Sequence, residues 1–470
     1  MNRLSHVEID AKAIFLLAMV VAITLGGGLL ITKASTGVAF AVVGAVVIGI
    51  VSFINTEIAL YILIASMLLG PQFIVGEPTE LAGRGRPFTM RMDDILLVII
   101  GLSWFLRTAI KKELGLFIRT PLNGPITYYF VVCLISTLLG YMMGRVKGIS
   151  GFFFLLKYFE YFIIYFIAVN HLREKKQIER FLFTILVVCF VVCIIAISQV
   201  PVGGRVSAPF EGSEGEPNTL GGYLVLMLSI VLGLLLGYGG SRKQKIFLGT
   251  LSFFIVISIS LTLSRASWVS LVPMVMTLLY FSRRKWPIIV ALIIIVLISP
   301  FILPKSVKER AAFTFTQPKE RGQVTVGKTT LDTSTSARFL AWKNTLEKDF
   351  VTQPILGYGI TGYRFLDAQY PRVLAETGLL GGITFFILLF SIYMNALHTY
   401  KATTDPLFSG LSLGYLAGFI AMVTHGIGTN TFIIVRIMEP FWFLTAMIIM
   451  IPEIEKTAAK GPLKIDPLAT

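Results

Sequence analysis

Continuous apolar runs of about 18 to 25 residues, joined by short polar or glycine-rich links, dominate this chain, and a helix needs a run of about that length to cross a ~30 Å hydrocarbon layer. The runs fall near residues 13–31, 37–54, 57–75, 93–110, 125–143, 150–170, 180–201, 218–238, 246–263, 265–281, 287–303, 373–398, 408–432 and 436–453. Almost nothing separates the second run from the third, so that pair can form a hairpin that does not fully cross. None of the runs alternates over ten residues, which excludes a transmembrane β-barrel. The pattern predicts an all-α integral membrane protein with about 12–14 transmembrane helices and one large extracytoplasmic loop carrying surface helices. Its parts are residues 1–303 with the first eleven spans, the loop 304–372, and 373–470 with the last spans and a cytoplasmic tail.

Composition agrees, because 55% of residues are hydrophobic and only 14% charged, whereas soluble domains carry about one quarter charged residues. Soluble enzyme folds, disordered tails and disulfide scaffolds are thereby set aside. The net charge of +15 would ordinarily raise nucleic acid as a partner, but its placement argues for cytoplasmic loops instead. With the N-terminus inside, the basic clusters Arg107–Arg119, Arg173–Arg180, Arg242–Lys245 and Arg283–Lys285 all fall on one face. That is the positive-inside arrangement. It puts both termini in the cytoplasm and the loops 202–217 and 304–372 outside. The first run has no convincing small-residue cleavage site and reads as a retained span. Cys133, Cys189 and Cys193 all lie within apolar runs, so packing is expected of them and neither a disulfide framework nor a zinc site is indicated.

Candidate chemistry gathers on the outer face. Arg265 stands in LTLSRASW where two runs meet with almost no loop, and an arginine at membrane depth costs roughly 2.5–3.5 kcal/mol on insertion scales. It either snorkels to lipid phosphates or, with Ser264 and Ser267, belongs to a built anion site. Arg205 opens a Gly/Pro-rich loop that ends at Asn218, a natural N-cap for the following span. Segment 338–350 spaces Phe339, Leu340, Trp342 and Leu346 at helical period, predicting a surface helix headed by Arg338, while the Thr/Ser/Gly-rich stretch 316–336 should be mobile. Tyr363 and Arg364 follow the turn GYGITGYRF, Asp367 precedes the next span, and Glu376 sits in its first turns within AETGLLGG, where Gly378, Gly381 and Gly382 permit close helix approach. Asp93 and Asp94 suit the N-terminus of a helix. His425, in THGIGTN, is the histidine placed near the outer end of a span. Arginines beside a carboxylate on one membrane face have the means to hold an anionic diphosphate and to deprotonate a sugar hydroxyl.

The succession of the Arg205–Asn218 loop, TLSRAS at a span junction, SARFLAWKNTL, PILGYGITGYRF and DAQYPRVLAETGLLGG resembles the O-antigen ligase and O-antigen polymerase superfamily over about 200–390. The resemblance implies a GT-C-type glycosyltransferase of the bacterial inner membrane. Its donor would be a polyprenyl-diphosphate-linked glycan and its acceptor a glycan or glycolipid, with no nucleotide sugar, cofactor or required metal. It further implies that Arg205 and Arg265 bind the diphosphate with support from Arg338. Tyr363, Arg364, Asn218 and His425 are taken as further substrate contacts, and Arg265, Asp367 and Glu376 as the catalytic candidates. Where the ligases carry a His-Asn-type pair, eleven residues before Gly378, this chain has Asp367 and Ala368. That departure leans toward the polysaccharide polymerases. A glycolipid transporter is the rival class, but neither duplicated halves nor broken helices are evident in the sequence.

Overall fold

The structure, a computed structural model, describes residues 47–460 apart from 75–88, 112–117, 148–149, 203, 210–214, 238, 303–304, 319, 321 and 327–328. The first predicted run, and most of the second, lie outside these residues. Among the described residues the main helices with both ends defined are α1 Thr56–Leu69, α2 Met92–Lys111, α3 Asn123–Met142, α4 Ser150–His171, α5 Lys175–Ser198, α6 Pro217–Gly237, α7 Arg242–Thr262, α8 Arg265–Phe281, α9 Lys285–Ile302, α10 Lys305–Thr316, α11 Thr333–Asn344, α12 Gln369–Ala402, α13 Pro406–His425 and α14 Val435–Lys460. Two small antiparallel pairs, Gln72–Ile74 with Thr89–Arg91 and Thr325–Val326 with Thr329–Thr330, accompany them.

This is an all-α integral membrane protein. Among the described residues eight helices are long and apolar enough to cross a bilayer, and Thr56–Leu69 and Arg265–Phe281 are shorter apolar helices. The centre of the bundle is α6, α13 and α14, whose apolar windows are 78%, 78% and 83% buried, against 33% for α3 and α7. The outer helices therefore turn apolar side chains such as Phe253 and Tyr128 outward, as lipid-facing helices do. Aromatic packing binds α4 to α14: Tyr161, Phe162 and Tyr165 surround Trp442 with ring centroids 6.3, 4.9 and 5.6 Å away.

A buried ionic cluster ties α2, α4 and α14 together. Arg91 meets Asp93 at 2.6 Å and Glu439 at 3.3 Å, and Lys157 pairs with Asp94 and with Glu160. The Asp94 carboxylate also accepts the Arg91 backbone N–H at 2.9 Å, a contact of the capping kind expected there. Arg436 closes the same end by donating to the Leu68 and Pro209 carbonyls.

Two local features differ from the sequence expectation. The surface helix begins at Thr333, five residues early, and the stretch before it is partly organised: the buried Ser336 hydroxyl accepts the Val324 N–H at 2.9 Å and Thr325 pairs with Thr330. Local side-chain hydrogen bonds substitute for the apolar contacts this segment lacks. At Gly378 the helix α12 breaks, with φ +63°. A Cβ there would sit 2.5 Å from the Ile355 carbonyl, so glycine serves a backbone crossing rather than helix-to-helix approach. The backbone groups freed by the break pair with the turn 354–359: Leu379 N–H to Pro354 O, Leu380 N–H to Ile355 O, Tyr358 N–H to Ala375 O and Gly359 N–H to Glu376 O.

Candidate functional site

The junction between α7 and α8 builds the site. Leu263 takes a left-handed conformation with φ 51°, which ends α7 and turns the chain at once into α8. Ser264 caps the new helix by accepting the Ser267 N–H. The tight turn leaves the last carbonyls of α7 exposed. Arg205 uses them, donating from Nε to Thr262 O at 3.0 Å and from Nη2 to Leu263 O at 3.3 Å. The negative end of one helix thus holds an arginine beside the positive end of the next, where Arg265 stands.

Around this junction lies a cavity of about 250 Å³ lined by Arg205, Arg265, Arg310, Arg338, Asp367 and Asn218 among others. A second cavity, bounded by Thr333, Ser334, Ala337, Arg338 and Asp367, shares residues with it. Four guanidinium groups therefore converge from the 202–217 loop, α8, α10 and α11. Arg265 is paired with Asp332 at 2.5 Å and Arg338 with Asp367 at 3.1 Å. The Nε–H groups of Arg310 and Arg338 are buried without a hydrogen-bond partner.

This crowding perturbs the protonation equilibria. Burial first, and then the charges of Arg310, Arg265 and Arg338, push the Arg205 guanidinium down to about 10. Burial and the neighbouring Arg265 likewise lower Arg310. Asp332 is lowered as well, which for a carboxylate favours the charged form: burial raises it, but hydrogen bonds and charge from Arg265 outweigh that and hold it below its ordinary value. A cluster in which guanidinium groups lower one another is stabilised by an added anion.

Asp367 lines the cavity on a segment pinned on both sides, at Leu366 and Gln369. The Asn430 side chain donates to Leu366 O at 2.7 Å, the Gln369 N–H reaches Gly426 O and Thr429 O, and the Gln369 side-chain oxygen accepts the Phe432 N–H. Asn218 lies on the cavity wall, its side-chain oxygen accepting the Ser264 hydroxyl at 2.8 Å. His425 is fully buried behind it, in contact with Ser267, Thr429 and Thr431.

The remaining candidates lie elsewhere. Glu376 is buried, bonded to Arg372 at 3.0 Å, to the Tyr158 hydroxyl at 3.4 Å and to the Thr361 N–H at 3.3 Å. It fastens the 354–362 turn to α12 and α4 and does not line the arginine cavity. Tyr363 packs against Tyr358 with tilted rings whose centroids are 4.9 Å apart, and Arg364, about half exposed, lies over Tyr363 and 3.8 Å from Asp349. Neither lines the cavity. Sequence reasoning missed Arg310, Asp332, Gln369 and Asn430. Gln369 and Asn430 sit inside quoted motifs, DAQY and THGIGTN, whereas nothing local marks Arg310 or Asp332. Among the described residues Asp93, Glu160 and Glu439 bring carboxylate oxygens within 4.8 Å of one another, but Arg91 and Lys157 already face them.

Comparison with known proteins bears on the same region. Residues 250–386 match the family model described as O-Antigen ligase, a segment that holds Arg265, Arg310, Asp332, Arg338 and Asp367, while Arg205, Asn218 and His425 lie outside it. No match was found among the curated proteins. The match over 250–386, the segment that carries most of the arginine cavity, supports the likeness to the O-antigen ligase and polymerase superfamily read from the sequence.

Proposed function

We propose that this protein transfers a polyprenyl-diphosphate-linked glycan to a glycan acceptor on the extracytoplasmic side of the bacterial inner membrane, acting as a polysaccharide polymerase. The observation that carries the reading is the convergence of Arg205, Arg265, Arg310 and Arg338 on one cavity that also presents Asp367. Departure of a diphosphate is the main electrostatic difficulty of such a reaction, and preorganised guanidinium groups stabilise the charge that develops. Each charge-assisted contact contributes on the order of 1.5–3 kcal/mol. Asp367 accepts the proton of the attacking hydroxyl, Arg338 orients it, and attack opposite the leaving diphosphate inverts the anomeric carbon. No step in this scheme calls for a metal or cofactor. Of the two carboxylates weighed as base, Asp367 is favoured because it shares the cavity with the arginines and Glu376 does not.

Attachment of the glycan to a lipid core is the second reading, supported by the description of the family model. Incubating the purified protein with a polyprenyl-diphosphate oligosaccharide separates the two. A ladder of lengthening lipid-linked products supports polymerase activity. Product formed only when a lipid core acceptor is supplied supports ligation. No transfer under either condition, from a folded protein in bilayer discs, overturns both.

A further inference from the structure

Behind the cavity wall runs an unbroken line of side-chain hydrogen bonds. Asn218 is bonded to the Ser264 hydroxyl at 2.8 Å, Ser264 to the Ser267 hydroxyl at 2.9 Å, Ser267 to His425 Nε2 at 3.2 Å, and His425 Nδ1 to the hydroxyls of Thr431 at 2.7 Å and Thr429 at 2.9 Å. Ser264, Ser267, His425, Thr429 and Thr431 are all buried, so solvent does not compete for these bonds. The line is built on purpose-shaped ground. The next turn of α6 after Asn218 carries Gly221 and Gly222, where a Cβ would come 2.2 Å from the Ser267 hydroxyl and 3.0 Å from the His425 ring. Larger residues at either position would displace a member of the line.

A hydroxyl has one proton to give, so where each serine spends its proton within the line the bonds all point the same way. If Ser264 donates to the Asn218 oxygen, Ser267 donates to Ser264, and His425 must carry its proton on Nε2. The Asn218 amide N–H groups then face the cavity. In the reverse direction the Asn218 nitrogen donates to Ser264, Ser267 donates to His425 Nε2, the proton sits on Nδ1, and the amide oxygen faces the cavity. The two directions differ in what the cavity presents. An anionic ligand requires the first.

Resting on the diphosphate reading above, we propose that His425 is a positioning residue that acts through Ser267 and Ser264 to hold Asn218 as a neutral donor toward the bound anion, with the Nε2–H tautomer as its signature. Asn218 adds two donors to a site whose other side-chain donors are chiefly guanidinium groups, and it does so without adding charge to a cluster whose arginines already repel one another. Its oxygen is occupied by Ser264, so the amide cannot turn its acceptor toward the ligand.

The chain has only four histidines, so ring nitrogen resonances of a 15N-histidine-labelled protein in bilayer discs are assignable with His425→Gln as the reference. In wild type saturated with inorganic pyrophosphate, His425 is expected as the Nε2–H tautomer. In ligand-free Asn218→Asp a carboxylate can only accept, so the line is locked and the same tautomer is expected without any ligand; an Nδ1–H tautomer in either sample overturns the proposal. Pyrophosphate affinity gives the second readout. Gln at 425 can still donate from its amide to Ser267 and should bind like wild type, whereas Leu, which fills the space but cannot donate, should weaken binding about tenfold. Equal affinity of the two variants overturns the relay, because packing alone would then explain the histidine. Absence of pyrophosphate binding to wild type would count against the diphosphate reading, and the Asn218→Asp spectrum would still decide the relay.

Discussion

Two clusters of charge in this molecule use the same residue types with opposite balance. Four arginines line the cavity with the carboxylates Glu216 and Asp367, and Asp332 beside it pairs with Arg265. In the bundle, Arg91 and Lys157 face Asp93, Asp94, Glu160 and Glu439 within a buried knot. The first opens into a cavity and has basic groups in excess. The second is closed and joins three helices. A charged cluster inside a membrane protein is thus either a fastening or a binding site, and the enclosed volume with the sign of the excess tells which.

The comparison can be broken by substitution, and the largest effect belongs to the fastening. Arg91→Ala leaves several buried carboxylates uncompensated and should lower stability by about 3–5 kcal/mol, read as loss of folded protein on heating in detergent. Unchanged thermal stability would mean the knot is not a fastening. Arg265→Ala should cost less stability, since only Asp332 loses its partner, while transfer per folded molecule falls by about 100-fold or more. An active Arg265→Ala protein would remove that arginine from the diphosphate role. Asp367→Asn should slow transfer by about 100-fold at unchanged donor binding. Near-normal turnover would move the base role to another group.

A smaller effect sharpens the boundary between the two kinds of site. Glu376→Gln leaves the buried Arg372 without its counter-charge and should lower stability by about 1–3 kcal/mol, with the rate per folded molecule changed by less than about twofold. The smallest effect concerns pH. Arg205 has its protonation equilibrium depressed to about 10, so its charge is present below that value and lost as pH rises through it. Pyrophosphate affinity should therefore decline on raising pH toward 10, well before an ordinary arginine would discharge, and the decline should vanish in Arg205→Ala. Asp332 is depressed as a carboxylate, so its pairing with Arg265 persists above the ordinary carboxylate range and fails only as pH falls below it.

Much of the bundle was legible in the sequence because hydropathy is a local signal. The windows 218–238, 246–263 and 265–281 fall within a few residues of α6, α7 and α8. Arg205, Arg265 and Arg338 were legible for a related reason: an arginine at a span end or heading an amphipathic helix has few inexpensive places to go. Arg310 and Asp332 were not, because both sit in a loop whose organisation depends on contacts such as Ser336 with Val324. The ionic knot was hidden for the opposite reason. Its members come from three distant stretches, and Asp93 and Asp94 alone read as a helix cap. Glu376 illustrates the remaining gap, since its position in the first turns of α12 gave its depth but not that Arg372, one turn earlier, would claim it.

The central claim, a cationic cavity that takes the diphosphate of a lipid-linked glycan, is tested most directly by following release of polyprenyl diphosphate together with glycan transfer in bilayer discs. Wild type should release one lipid diphosphate for each glycan transferred, and both Arg205→Ala and Arg265→Ala should lose release and transfer together. Transfer that continues at the wild-type rate in these two folded variants would contradict it.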